Sequence, residues 1–298
     1  MSVSVLFASH TPLKDYLSPG AEIEQDVEDA LAKLRKTAVE FDPDLVVAIG
    51  PDHFNGFFYQ VMPSFCVGME AYSVGDWNTP EGPVTVERSV AEGLAQTLLD
   101  NDVDAAISHR MSIDHGFTQL LAQLFAWPTM PPIVPIFINC AGHPLPSIKR
   151  VIRFGSVLGK YLSEINGRVL ITASGGLSHD PPIPDLETAP EAVRERLISG
   201  GRWTSEERSA RQERVLSEVS SERAGESQRV PLNPDWDRRI LSYLQSHDFD
   251  ALESLKDGAI TKDGGCGGHE IRTWVMAAAC AHQLGVKQYE LLYYKPIP

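Results

Sequence analysis

The strongest constraint on the fold is a set of short, continuous apolar runs that alternate with segments of helical periodicity. The runs are rich in Val, Ile and Leu, as is typical of strands buried on both faces of a sheet, and they cover residues 3–7, 45–49, 133–138 and 169–173, with a shorter candidate at 105–108. Helical spacing predicts helices over residues 23–41, 84–99, 116–125 and 147–162. This alternation predicts an α/β fold with a central, mainly parallel or mixed sheet flanked by helices.

The second half of the chain is less regular. Residues 200–229 are rich in Glu, Arg and Ser, which predicts a charged helical excursion that is solvated on the surface and carries no chemistry. A helix over 236–245, a Gly-rich loop over 264–268, a final helix over 269–284 and an extended segment or edge strand over 289–294 are expected to follow. Because no repeat or linker divides the chain, we expect one catalytic domain over residues 1–298.

Composition excludes several classes of protein. The formal net charge is −14, from 26 basic and 40 acidic residues, so nucleic acid is not an expected partner. No apolar run approaches the roughly 20 residues that span a bilayer, so no membrane partner is expected. None of the four cysteines lies in a C-x-x-C pair, which is typical of reduced thiols in a cytoplasmic protein.

Three of the nine histidines follow predicted strands. His10 comes directly after the first strand, His53 follows the second, and His179 follows the run at 169–173. Ligands of open α/β sheets bind beyond the carboxyl ends of the strands, so we expect these side chains at the same edge. Gly50-Pro51 and Gly175-Gly176 predict turns at two of these positions, where the backbone comes close to another group.

Two further segments carry candidate functional groups at predicted helix starts. Asp114 is predicted to cap a helix from which His115 projects into a cleft. Residues 264–268 lead to His269 and Glu270, but they lack the Lys-Ser/Thr of a phosphate loop, so a nucleotide site is not predicted. An acidic side chain there favours a cation, and we expect Glu270 to be a metal ligand.

His10, His53 and Glu270 together form a candidate metal site. Two histidines and one carboxylate are the ligand set of non-haem Fe(II) oxygenases, which leave positions open for substrate and O₂. The same set also binds Zn(II), so the ligands alone do not choose the metal.

Several motifs together resemble the class III extradiol ring-cleavage dioxygenases, the superfamily of the protocatechuate 4,5-dioxygenase β subunit. The resemblance covers nearly the whole chain and is carried by Ser9-His10-Thr11-Pro12, Pro51-Asp52-His53-Phe54-Asn55, Asp114-His115-Gly116-Phe117, Ser174-Gly175-Gly176-Leu177-Ser178-His179, His269-Glu270-Ile271, Val230-Pro231-Leu232-Asn233-Pro234 and Tyr294-Lys295-Pro296-Ile297-Pro298.

The resemblance implies a function and a role for each site residue. It implies Fe(2+) as the cofactor, held by His10, His53 and Glu270, with His115 and His179 as the acid–base pair. In that pair His115 is the base and His179 the proton donor. It also implies a homo-oligomer that opens a catechol ring with O₂. The expected substrate is a 3-substituted catechol with a short carboxylate side chain, such as 2,3-dihydroxyphenylpropionate or 2,3-dihydroxycinnamate.

Other interpretations stay open at this stage. The substrate could instead be an aminophenol, gallate or a biphenyl diol, and Arg110, Lys149 and Arg153 are unranked candidates for the cation that meets a substrate carboxylate. A zinc hydrolase and a non-enzymatic binding protein on the same scaffold are the competing functions.

Overall fold

The computed structural model describes residues 1–201 and 204–297. Within them lie nine strands: β1 (Ser2–Ser9), β2 (Leu45–Gly50), β3 (Phe65–Gly68), β4 (Ala71–Val74), β5 (Glu81–Val84), β6 (Ala106–Ser108), β7 (Met111–Ile113), β8 (Ile133–Ile138) and β9 (Arg168–Gly175). The α-helices in the same residues are α1 (Ala21–Phe41), α2 (Arg88–Asp100), α3 (His115–Leu124), α4 (Ile148–Leu162), α5 (Glu191–Ser199), α6 (Ser205–Arg223), α7 (Pro234–Ser246), α8 (Phe249–Ser254), α9 (Asp257–Gly264) and α10 (Ile271–Gln283).

A six-stranded sheet in the order β1-β9-β2-β8-β3-β6 organises the molecule. All neighbouring pairs are parallel except β3 and β8, which run antiparallel, so the sheet is mixed. The predicted α/β class is therefore confirmed. Because β1, β9 and β2 are adjacent and parallel, their carboxyl ends meet at one edge.

Helices cover both faces of this sheet. Successive residues of a strand point to opposite faces, and β2 shows this directly. Leu45, Val47 and Ile49 pack in a core with α2, α4, α7 and α10, whereas Val46 and Ala48 pack in a second core with α1 and α3. The two cores explain why the strand sequences are continuously apolar.

Two predicted elements differ in extent from the structure. The helix predicted from residue 84 begins at Arg88, because Val84 ends β5 of a small sheet in the order β5-β4-β7. The Gly-rich loop predicted over 264–268 is largely helical: Gly264 ends α9, and a short 3₁₀-helix spans Gly267–Glu270 before α10. Residues 289–294 belong to no strand, so the edge strand allowed by the sequence is not formed.

The prediction that the charged segment 200–229 is only solvated surface needs correction. The predicted helix is present as α6, and a capping box formed by Thr204 and Glu207 begins it. However, one face of α6 lines an internal cavity, so the segment is not merely solvated. Arg202 and Trp203 of the excursion, and Pro298 of the terminal motif, lie outside the described residues. No helix in the described residues has the length and apolar character to cross a membrane.

Candidate active site

His10, His53 and Glu270 converge at the edge where β1, β9 and β2 end. The Nε2 atoms of His10 and His53 lie 3.4 Å apart. Glu270 Oε1 lies 3.3 Å from His53 Nε2, and Glu270 Oε2 lies 3.6 Å from His10 Nε2. The structure thus brings together the three residues that the sequence suggested as metal ligands, although they are separated by most of the chain.

Both histidines are held through their other ring nitrogen. His10 Nδ1 contacts Ser174 Oγ at 3.0 Å, and His53 Nδ1 contacts Asp114 Oδ2 at 3.1 Å. The same carboxylate accepts the backbone N–H of His53 at 2.9 Å. Partners of this kind fix the ring orientation and the tautomer of metal-binding histidines. The Nε2 atom of each ring therefore faces the common centre.

Glu270 supplies an observation that fits a cation at this centre. Its side chain is buried, and Oε2 has no hydrogen-bond partner among the described residues. A buried carboxylate oxygen without a partner is costly unless a cation balances it. Burial alone would raise the pKa of Glu270, but His10, His179 and His53 together hold it at about 2. The carboxylate is therefore charged.

The histidines respond oppositely to the same environment. Burial is the largest influence on His10 and lowers its pKa to about 3, so its ring is neutral. Burial also disfavours the charged form of His53, but Asp114 and Glu270 outweigh it and raise the pKa of His53 well above the ordinary value. Without a metal, a proton on His53 balances these carboxylates, and a bound cation would take over that role.

His115 lies beside these groups and is held by a second acidic residue. Asp76 Oδ1 accepts the backbone N–H of His115 at 2.8 Å, and Asp76 Oδ2 lies 2.6 Å from His115 Nδ1. The ring stacks on His53 with centroids 4.2 Å apart. Asp114 caps α3 as predicted, because its side chain accepts the N–H of Gly116.

His115 also enters the set of potential metal ligands. One ligand atom from each of His10, His53 and His115 lies within 4.8 Å of the others, and Asp76, Asp114 and His115 form a second such group. His115 Nδ1 is held by Asp76 just as His53 Nδ1 is held by Asp114, so Nε2 of His115 is also available. Glu270 differs because it offers a buried oxygen, Oε2, that has no hydrogen-bond partner among the described residues.

His179 lies next to Glu270. Its Nε2 lies 3.7 Å from Glu270 Oε1, and its Nδ1 lies 3.0 Å from the carbonyl oxygen of Leu177. The side chain is 37% exposed, so water reaches it. A Cβ on Gly176 would lie 2.6 Å from the His179 ring, and one on Gly267 would overlap that ring. Within the 264–268 segment, Gly267 therefore makes room for the His179 ring, whereas Gly264 lies against Trp236.

A cavity of about 1520 Å³ opens from this centre. His10, His53, His115 and His179 line one end, and the inner faces of α1 and α6 line the wall. We call α6 the cap helix. Its Arg211 is half-buried beside the site, with Nη2 donating to the carbonyl oxygen of His53 at 2.7 Å and Nη1 to Asn55 Oδ1 at 3.3 Å.

The cations proposed from sequence for a substrate carboxylate are not in this cavity. Arg110 is exposed beyond β6, Lys149 pairs with Glu253 on the surface, and Arg153 donates to the carbonyl oxygen of Asn101. None of the three lines the cavity wall. The sequence interpretation also did not include Asp76 or Arg211, which contact the site directly.

The fold and this group of histidines and carboxylates agree with a known class of enzyme. The family described as "Catalytic LigB subunit of aromatic ring-opening dioxygenase" matches residues 4–298. The chain belongs to this family, and it is therefore an oxidoreductase that opens aromatic rings. The family resemblance of the histidine motifs is confirmed.

Curated relatives match over nearly their whole length. The chain is 44% identical over 292 residues to "2,3-dihydroxyphenylpropionate/2,3-dihydroxicinnamic acid 1,2-dioxygenase 2" of Dechloromonas aromatica, covering 97% of this chain and 92% of the relative. It is 43% identical over 298 residues to the similarly named enzyme of Cupriavidus pinatubonensis, covering 100% and 95%. A match to the solved structure of an uncharacterized Escherichia coli K12 protein covers 84% of this chain and 81% of that chain, at 15% identity and a TM-score of 0.42.

Proposed function

We propose that the protein uses Fe(II) to cleave a 3-substituted catechol with O₂ in the extradiol manner, with 2,3-dihydroxyphenylpropionate or 2,3-dihydroxycinnamate as substrate. The observation that carries the proposal is the unpaired, buried Oε2 of Glu270 beside two oriented histidine nitrogens. The printed names of the relatives support the choice of substrate. Breakdown of aromatic compounds is the corresponding physiological role.

His10, His53 and Glu270 would hold the metal through two nitrogens and one carboxylate. When bound, Fe(II) supplies open coordination positions for the two catechol oxygens and O₂, and a route for electrons from the ring to oxygen. Asp114 and Ser174 would keep the two imidazoles oriented during turnover.

We assign His115 the removal of a phenolic proton as the catechol binds. Asp76 accepts a hydrogen bond from His115 Nδ1–H, so the neutral ring presents the lone pair of Nε2 as the proton acceptor. Stacking on His53 keeps His115 beside the centre at which the catechol oxygens would bind. A base must lie within hydrogen-bond reach of its proton, and the position of His115 beside His10 and His53 supports this assignment.

We assign His179 the donation of a proton to the oxygen atom that leaves when the O–O bond of the dioxygen substrate is broken. The Leu177 carbonyl can only accept, so Nδ1 of His179 carries hydrogen and Nε2 faces Glu270 and the cavity. Donation from Nε2 then requires the doubly protonated ring. Its partial exposure gives it access to solvent protons.

Oxygen consumption tests the function directly. Protein prepared without air and loaded with Fe(II) should consume O₂ when 2,3-dihydroxyphenylpropionate is added, with matching formation of a yellow ring-opened product. Protein loaded with Zn(II) is the control and should consume none. If Fe(II)-loaded protein consumes no O₂ with any catechol or aminophenol, the zinc hydrolase and the binding protein become the better proposals.

We also propose that residues 1–298 act as one catalytic domain. In this proposal the protein works in the cytoplasm as a homo-oligomer, without nucleic-acid or membrane partners. The four free thiols suit a reducing compartment. Light scattering of the purified protein would give the number of subunits.

A further inference from the structure

The inner face of the cap helix presents two arginines to the cavity, one turn apart. Arg211 and Arg214 both line the cavity wall. Arg211 is half-buried, bonded to the segment that carries His53, and close to the carboxylates of Asp76, Asp114 and Asp52, which offset its charge. Arg214 is exposed, lines the same cavity and follows three residues further along the helix. The two residues therefore differ in how their charge is balanced.

Three other cations that line the cavity are engaged elsewhere. Lys14 pairs with Glu28 at 2.5 Å, and Arg196 pairs with Glu207. Arg223 donates to the carbonyl oxygen of Ser18 at the far end of the cap helix. Within residues 1–201 and 204–297, Arg214 forms no ion pair with a carboxylate. Lys295, in the chain terminus that also lines the cavity, shares this property and serves below as a control.

We propose that Arg214 binds the carboxylate of the substrate side chain and so selects acidic catechols. The inference rests on the proposed function, because the catechol oxygens must first be fixed at His10, His53 and Glu270. Arg211 fixes the cap helix beside His53, and Arg214 follows about 4.5 Å further along the helix axis. A three-carbon acid side chain spans a comparable distance from the ring. The guanidinium plane matches a carboxylate with two parallel hydrogen bonds.

The kinetic test compares two substrates that differ only in the last group of the side chain, which is a carboxylate in one and a methyl group in the other. For wild-type enzyme and Arg214→Gln, kcat/KM is measured with 2,3-dihydroxyphenylpropionate and with 3-propylcatechol, which lacks the carboxylate. The ratio of the two values should fall roughly tenfold to hundredfold in Arg214→Gln, mainly through KM, and Arg214→Lys should restore part of it. Lys295→Gln is the matched control and should keep the wild-type ratio.

A binding measurement keeps the inference separate from catalysis. The titration of 3-phenylpropionate, which has the carboxylate without the diol, is followed by NMR on the same metal-loaded proteins. Weaker binding to Arg214→Gln than to wild type supports the inference even if no catechol is cleaved, in which case the proposed function alone fails. Equal binding to both, an unchanged kinetic ratio, or loss of the ratio in Lys295→Gln would overturn the inference.

Discussion

The rim of the site and the cap helix are built in opposite ways. At the rim, His10, His53 and Glu270 are buried or nearly so and are oriented by fully buried partners such as Asp114. The cap helix is strongly polar and is tied to the body by arginines that donate to carbonyl oxygens, at distances of 2.7–3.4 Å for Arg208, Arg211 and Arg223.

From this difference we expect the buried rim residues to determine catalysis and the cap helix to determine how substrate enters the cavity. A catalytic group gains from fixed geometry, which buried hydrogen bonds to several elements provide. A cover that admits substrate needs few, polar and partly solvated ties, because such contacts open at low cost. Substitutions at the rim should therefore affect metal and turnover, whereas those in the cap should affect binding.

The largest effect is expected from a metal ligand. His53→Ala removes one of the two nitrogens directed at the centre, so the variant should lose bound iron and, with it, all turnover. Iron is measured by a colorimetric assay after anaerobic loading and desalting. His109→Ala, at an exposed position after β6, is the control and should retain iron. Full iron in His53→Ala would show that His53 is not a ligand.

The next effect separates catalysis from metal binding. His115→Ala and His179→Ala should keep iron and lose kcat by about 10²–10⁴-fold, the usual range for a general acid or base. Iron content and oxygen uptake are measured on the same samples. If either variant loses iron in proportion to its activity, that histidine acts as a ligand, which the proximity of His115 to His10 and His53 makes a meaningful test.

A smaller effect on metal binding or turnover is expected from the carboxylates that hold the site histidines in place. Asp114→Asn should weaken iron binding by about 10–100-fold, because His53 loses the negative charge that orients and polarises its ring. An Asn whose oxygen stays on the Gly116 N–H still caps α3 but turns its NH₂ toward the donors of His53 and Asn55, so circular dichroism of the variant is recorded alongside the metal titration. Asp76→Asn is the matched comparison: it should lower kcat with little change in iron affinity, since Asp76 holds His115. Metal titration and steady-state kinetics distinguish the two outcomes.

The positions of the rim histidines could be predicted from the sequence, whereas the cavity-facing side of the cap helix was not predicted. His10 and His53 were found because each follows a strongly apolar strand, and parallel strands bring such positions to one edge. Asp76 was missed because β4 is short, and only its alternation of buried and exposed residues before Gly75 would have indicated a strand end. Arg211 was missed because composition dominated the interpretation of its segment. Val215 and Val219, four residues apart on the cavity side, were the signal of an inward face.

The smallest effect is expected from Arg211, which connects the cap helix to the rim residue His53. Arg211→Gln removes the bonds to the His53 carbonyl oxygen and to Asn55, and other ties remain in the cap helix. We expect KM to rise about fivefold, the equivalent of one hydrogen bond of about 1 kcal/mol, with kcat and iron content unchanged. Hydrogen exchange should become faster in the middle of α6 but not in β2.

Arg223→Gln is the matched control for this link, because it removes a contact at the far end of the same helix. It should speed exchange near Ser18 and leave KM nearly unchanged, since the helix stays attached beside His53. If Arg211→Gln instead lowered kcat at constant KM, Arg211 would act on the chemistry through the backbone of His53. The separation between a rigid rim and a yielding cap would then not hold at this residue.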